Sequence, residues 1–341
     1  MSTAHIVTKQ TNNSAPINVY RLVALHCRHD GKEYSNSALL YRDGKTSEVE
    51  WTSKALPDTR LKPGAIVSQR FGRLAAATGG NIKISRLVLL ERPETAINLF
   101  DLVPESWVAN RDLLERASEL WTHLPYYFQA MFNAIFWCGD RFKRYCVGQS
   151  SIRNHHAFTN GNLEHSVEVA EIMLSLLPLY PDGNRGVTIM AGLLHDAGKA
   201  DEYFERYGDT VLSHRGRLLG HKVTIIEWIA IAREKIRVGV PDAIYISLVH
   251  ALTAVGSTAA YSGMREAKTP EARLLSHADR LSGTARLVSV EAETSRSSVS
   301  AWQRGEGISA NDHRERRPAQ RFPGMEELSR LIRSGKQNAT M

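Results

Sequence analysis

At about residue 150 the hydrophobic period of the chain changes, and no single sheet or single bundle accommodates both halves. Residues 17–90 hold five short runs rich in strand-forming residues: NVYRLVALHCR, SNSALLY, TSEVEW, AIVSQRFGRL and NIKISRLVLLE. DGK punctuates two of the gaps and TGGN the last, so the runs read as strands joined by turns. From 151 onward the apolar residues recur at helical spacing in LEHSVEVAEIMLSLL, VTIMAGLLHDAGKA, LGHKVTIIEWIAIAREKI, DAIYISLVHAL and PEARLLSHADRLSGTARLVSV. The expected fold is α+β with two domains. A five-stranded barrel of the oligonucleotide-binding kind, whose closure hides its edges, precedes an all-helical domain.

The division expected along the chain is a flexible N-terminus over 1–14, the barrel over 15–95 and a helical connector over 96–150. The helical domain then spans 151–292, and a polar tail over 293–341 carries a short helix at MEELSRLIRS. Within the connector, LLERASELW is followed by the aromatic-rich YYFQAMFNAIFW, with Pro125 placed to kink or divide the two. So many rings suit either a seam packing the barrel against the helices or a surface for a homo-oligomer.

The full chain of 341 residues carries 43 Lys and Arg against 36 Asp and Glu, a net charge of +7. Residues 17–90 alone carry 12 basic against 6 acidic residues, together with Tyr20, Tyr41, Trp51 and Phe71. A basic groove with stacking rings is how such barrels hold single-stranded RNA or DNA. The alternative is that the same rings form the barrel core and the bases an ordinary solvated surface. No run of about 18 apolar residues is present and the N-terminus lacks a leader-like apolar segment, so the expected location is cytoplasmic, with no membrane. Cys27, Cys138 and Cys146 lack zinc-binding spacing and are expected to be reduced.

The helical half concentrates its chemistry at the ends of apolar runs. His165 lies in the first helical segment, His195 and Asp196 in the second, His221 in the third, His250 in the fourth and Asp279 in the fifth. Imidazoles and carboxylates together suit divalent metals such as Mn²⁺, Fe²⁺, Zn²⁺ or Mg²⁺. Asp196, directly after AGLLH, would be costly as an unpaired carboxylate in an apolar interior, and a cation relieves that cost.

These segments also resemble a known family. NHHAFTNGNLEHSVEVA, GLLHDAGKADEY, GRLLGHKV, LVHAL and EARLLSHADRLSG are similar to the motifs of the HD-domain phosphohydrolases. The resemblance is closest to the branch that has an N-terminal oligonucleotide-binding barrel, the YhaM-type 3′-to-5′ exoribonucleases. It implies that His165, His195, Asp196 and Asp279 bind one metal ion, and that His221 and His250 complete a second site bridged by Asp196. It implies Lys199 against a substrate phosphate, His155 and His156 lining the pocket, and His277 in a structural or supporting role. Two divalent ions per chain are expected, Mn²⁺ before Fe²⁺, Mg²⁺, Zn²⁺, Co²⁺ or Ni²⁺. Two departures stand out: His250 lacks an adjacent histidine, and TNGNLEH replaces a glycine pair before the first helix.

The activity expected is therefore metal-dependent 3′-5′ exonuclease hydrolysis of single-stranded nucleic acid, with RNA preferred by the resemblance. Two alternatives are a nucleotide or cyclic-nucleotide phosphohydrolase, and a nucleic-acid-binding accessory protein of mobile elements whose metal site serves folding. A barrel that binds protein is a further one.

Overall fold

The computed structural model describes residues 18–71, 82–137, 139–151, 157–207, 209–255 and 263–283. The expected flexible N-terminus, the polar tail, His155, His156 and Cys138 lie outside the described residues.

The first half is a curled, six-stranded sheet. Its strands are β1 (Val19–His29), β2 (Tyr34–Arg42), β3 (Lys45–Ser53), β4 (Ile66–Arg70), β5 (Ile82–Lys83) and β6 (Arg86–Leu89), in the order β5-β3-β2-β1-β4-β6. β1, β2 and β3 form an antiparallel meander, and β4 pairs with the start of β1. The count of six corrects the expected five, and the reason is local. The run NIKISRLVLLE leaves one partner for another at Ile84 and Ser85. β5 runs parallel to β3, the Ile84 amide donates to the Glu50 carbonyl at 3.0 Å, the Ser85 amide donates to Arg70 at 2.7 Å, and β6 runs antiparallel to β4. One stretch of chain thus touches both outer strands of the sheet, curling it into a half-barrel.

Alternation in β2 and β3 sends Ala38, Leu40, Val49 and Trp51 to the inside of this curl, where they meet Leu22, Leu61, Val67, Ile84 and Leu87. Tyr41 and Trp51 are buried, at 3% and 7% exposure. Neither ring is a surface platform: Trp51 belongs to the small core, and the Tyr41 hydroxyl is bonded to the Arg111 guanidinium at 2.7 Å. Tyr20 is half-buried against the same core, so of the four candidate rings only Phe71 is exposed.

The helices follow the expected segments. Asn110 caps α1 (Arg111–Thr122) by accepting from the Leu113 amide, and Pro125 divides it from α2 (Tyr126–Phe136). After α3 (Arg141–Val147) come α4 (Gly161–Leu176), α5 (Arg185–Leu194), the single turn α6 (Lys199–Glu202), α7 (His214–Leu218), α8 (Gly220–Lys235) and α9 (Asp242–Thr253). Residues 270–283 form a further helix, α10. Between α6 and α7 lies a hairpin that periodicity did not announce, β7 (Tyr203–Arg206) with β8 (Asp209–Leu212).

The connector rings settle the question of what they pack. Phe128, Phe132, Phe136, Phe142 and Tyr145 are all buried in the helical core, and Val19 and Ile66 of the sheet belong to that same core. These five form the seam inside one chain, while Tyr126 of the same run is exposed. Arg21 crosses the seam. It is 1% exposed, donates to the Leu102 carbonyl at 3.2 Å and the Gly64 carbonyl at 2.8 Å, and lies over the Trp107 ring. Burial lowers its pKa to about 10. No helix among the described residues is long and apolar enough to cross a membrane.

Candidate metal centre

α4 and α5 pack side by side, and two glycine positions let the helical segments approach closely. A Cβ on Gly192 would meet the Ala170 Cα at 2.6 Å. A Cβ on Gly198 would meet the His221 carbonyl oxygen at 2.2 Å. The glycines of AGLLHDAGK are therefore packing requirements that bring α4 to α5 and the start of α8 to the turn after α5. His195 is the C-cap of α5, and Asp196 follows it immediately.

Four of the expected ligands converge. His165 Nε2 lies 3.1 Å from Asp279 Oδ1 and 3.5 Å from Asp196 Oδ2, while His195 Nε2 lies 3.2 Å from His165 Nε2 and 3.6 Å from Asp196 Oδ2. His165, His195 and Asp196 are buried. The outer hydrogen bonds fix the tautomers. His195 Nδ1 is 2.8 Å from the Gly192 carbonyl, which only accepts, so Nδ1 carries the proton and Nε2 the lone pair. Ser282 Oγ donates to Glu168 Oε2 at 2.8 Å and so accepts from His165 Nδ1 at 3.0 Å. Both Nε2 atoms therefore present lone pairs to each other and to two carboxylates. Such a gathering of acceptors is repulsive without a cation at its centre, and the donor set fits a divalent metal. His165, His195 and Asp279 each offer a ligand atom within 4.8 Å of the others.

Asp196 joins this cluster to a second group. Its Oδ2 accepts from Lys199 Nζ at 2.5 Å and from Ser150 Oγ at 3.2 Å, and its Oδ1 lies 3.4 Å from His221 Nε2. His221 Nδ1 is in turn 2.8 Å from Glu202 Oε2. Burial opposes ionisation of Asp196, but His195, Lys199, His221 and His165 outweigh it and hold the carboxyl well below the usual range. Burial also opposes ionisation of Asp279, and in the metal-free site the His165 and His195 imidazoles beside it, when protonated, reverse the balance and lower its pKa. Burial keeps the His195 imidazole below its ordinary value, in the neutral form a metal requires.

Two expected residues stand apart. His250 Nε2 accepts from the Lys268 amide at 3.0 Å, and no contact among the described residues joins it to the other ligands. His277 is exposed, two positions from Asp279 and so on another face of α10. The supporting role belongs instead to Ser282 and Glu168 behind His165, Glu202 behind His221, and Ser150 beside Asp196. Glu168 and Glu202 were findable, since each lies three residues after a functional side chain on a helix. Ser150 carries no such signal.

Residues 162–284 match the family of the HD domain, a span that holds all six candidate metal ligands. Residues 162–284 form an HD domain. About three-quarters of the chain is also homologous to proteins named 3′-5′ exoribonuclease YhaM. It is 25% identical to the one from Geobacillus sp. (strain WCH70) over 263 residues, 74% of this chain and 76% of that protein. It is 24% identical to that of Halalkalibacterium halodurans over 74% of this chain and 77% of the relative. The protein of the same name from Bacillus pumilus is 26% identical over 39% of this chain and 41% of its own length. No solved structure matches the chain.

Proposed function

We propose that the protein is a metal-dependent 3′-5′ exonuclease that hydrolyses phosphodiester bonds of single-stranded nucleic acid, RNA before DNA. The observation that carries this reading is the meeting of two imidazole lone pairs and two carboxylates inside an HD domain, and homology to exoribonucleases over three-quarters of the chain supports it.

In this reading His165, His195, Asp196 and Asp279 hold the first metal ion. Asp196 and His221, the latter steadied by Glu202, would hold a second, Mn²⁺ being favoured for both. When bound, a divalent cation lowers the pKa of water and neutralises phosphate charge. Asp196 orients the attacking water; the proton that water loses passes to solvent, and the leaving 3′ oxygen takes one up from solvent. Lys199, 14% exposed and held between Asp196 and Ser150, turns to the non-bridging oxygens of the substrate phosphate, where it stabilises charge that grows in the transition state. His155 and His156 are assigned to the pocket by motif alone. The half-barrel, residues 15–95 in the expected division, acts as an oligonucleotide-binding module through Phe71 and its excess of Lys and Arg, retaining the strand while its end is shortened. A cytoplasmic location accords with such a substrate.

The test is digestion of 5′-labelled single-stranded RNA with Mn²⁺. The expected product is a descending ladder that keeps its label. Immediate release of the label as a mononucleotide would reverse the polarity, and turnover of free nucleotides alone would overturn the exonuclease reading.

A further inference from the structure

Beside the metal centre lies a cleft of about 620 Å³ whose lining includes Lys143, Phe158, Asn162, Lys199 and Phe204. Lys199 marks where it meets the centre, since the same ammonium contacts Asp196. Phe158 and Phe204 are large rings left 37% and 44% exposed. Arg144, also at the cleft, is occupied by Asp140, Asp201 and the Ala200 carbonyl, whereas Lys143 forms no ion pair among the described residues. Rings for a base and cations for a phosphate in one cleft suit a nucleotide.

Asn162 makes the assignment sharper. It is 1% exposed, and neither Oδ1 nor Nδ2 has a hydrogen-bond partner among the described residues. A buried amide left wholly unpaired is unfavourable and calls for a ligand that both donates and accepts. It sits three residues before His165 on α4, less than one helical turn along the axis from a metal ligand. That is the range of a sugar attached to the attacked phosphate, with the base lying farther out. The vicinal hydroxyls of ribose donate and accept as the amide does, and deoxyribose lacks one of them. Asn162 lines the cleft while its amide atoms are buried, so a rotation of the side chain is what presents them to the sugar.

We propose that this cleft seats the nucleoside at the cleaved end of the strand, and that Asn162 distinguishes ribose from deoxyribose there. The proposal rests on the reading of the site as one that cleaves strand phosphodiesters. Phe158 and Phe204 hold the base without regard to sequence, Lys143 meets the phosphate farther along the strand, and Asn162 reads the sugar.

The test compares two oligonucleotides that differ only in a ribose or deoxyribose at the 3′-terminal residue, using the full chain with Mn²⁺. The wild type is expected to cleave the ribose-ended strand at least about tenfold better in kcat/KM. Asn162→Leu, which removes the unpaired amide without emptying its space, is expected to bring that ratio to within about twofold; Asn162→Ala is the second variant should leucine disturb folding. Phe204→Ala is expected to raise KM for both strands alike. A wild type that cleaves both ends equally, or an Asn162 variant that keeps the preference, overturns the proposal. Should the wild type cleave neither strand, the exonuclease reading fails by itself, and calorimetric binding of AMP against dAMP then decides the cleft: tighter AMP binding lost in Asn162→Leu upholds it, and equal binding refutes it.

Discussion

Gly198→Ala (G198A) places a single methyl group where the account is most exposed. The glycine has φ −61° and ψ −17°, ordinary helical values that alanine adopts freely, so any effect is steric. On helix propensity alone the change would stabilise by up to about 1 kcal/mol. The added Cβ, however, would stand 2.2 Å from the His221 carbonyl oxygen, 2.9 Å from its carbon and 3.0 Å from its Cα, all of them backbone atoms with no rotamer of escape. Ordinary contact begins near 3.4 Å, so the start of α8 must retreat by about 1 Å. His221 then leaves Asp196 Oδ1, now 3.4 Å away, and loosens from Glu202. A displacement of that size in a catalytic constellation is worth about 100-fold in rate, and overpacking costs about 1–3 kcal/mol of stability. The assay is initial cleavage rate of a labelled oligonucleotide at saturating Mn²⁺, with melting temperature on the same samples. Gly239→Ala is the control, because a Cβ there meets nothing within 4 Å. Activity within about threefold of the wild type at an unchanged melting temperature would refute the claim that this glycine holds His221 in a working position.

Two further outcomes follow from buried charge. In metal-free protein, the His195 pKa lies below its unfolded value of about 6.5, so the unfolded chain binds the proton more readily and stability falls as pH drops below that value. Melting temperature is expected to decline from about pH 7 to pH 5, and His195→Gln to flatten that part of the profile; an unchanged slope would show that another group is responsible. Arg21→Met keeps the apolar stem but leaves the Gly64 and Leu102 carbonyls without their donor, for an expected loss of about 2–4 kcal/mol by denaturant titration. A neutral result would mean that Arg21 contributes nothing net to joining the sheet to the helices.

The helical half was legible because its chemistry and its packing coincide. His165, His195, Asp196 and Asp279 each follow or interrupt an apolar stripe, and a polar group at such a place must have a partner. The glycines beside them are equally readable once the close approaches of Gly192 and Gly198 are known. The sheet was legible in strand positions but not in strand count, because the change of partner at Ile84 and Ser85 follows from closure of the sheet and leaves no mark on local pattern. For the same reason alternation did not tell Tyr41 and Trp51 from outward rings: a curled sheet buries one face of every strand, and which face depends on the curl. The hairpin of β7 and β8 escaped notice because its strands are four residues each, too short for a period to register. Ser150 was invisible because its role arises from tertiary contact with Asp196.

Asp196 is the residue on which the whole arrangement turns, facing both imidazoles and Lys199 with one oxygen and His221 with the other. The most direct measurement therefore takes Asp196→Ala (D196A) and records bound metal by mass spectrometry and single-turnover cleavage of single-stranded RNA in the same preparation. The expected result is loss of both, with the β-sheet signal in circular dichroism retained. Cleavage within about tenfold of the wild type across several divalent metals, with contaminating nuclease excluded, would contradict the assignment of this cluster as the catalytic metal centre.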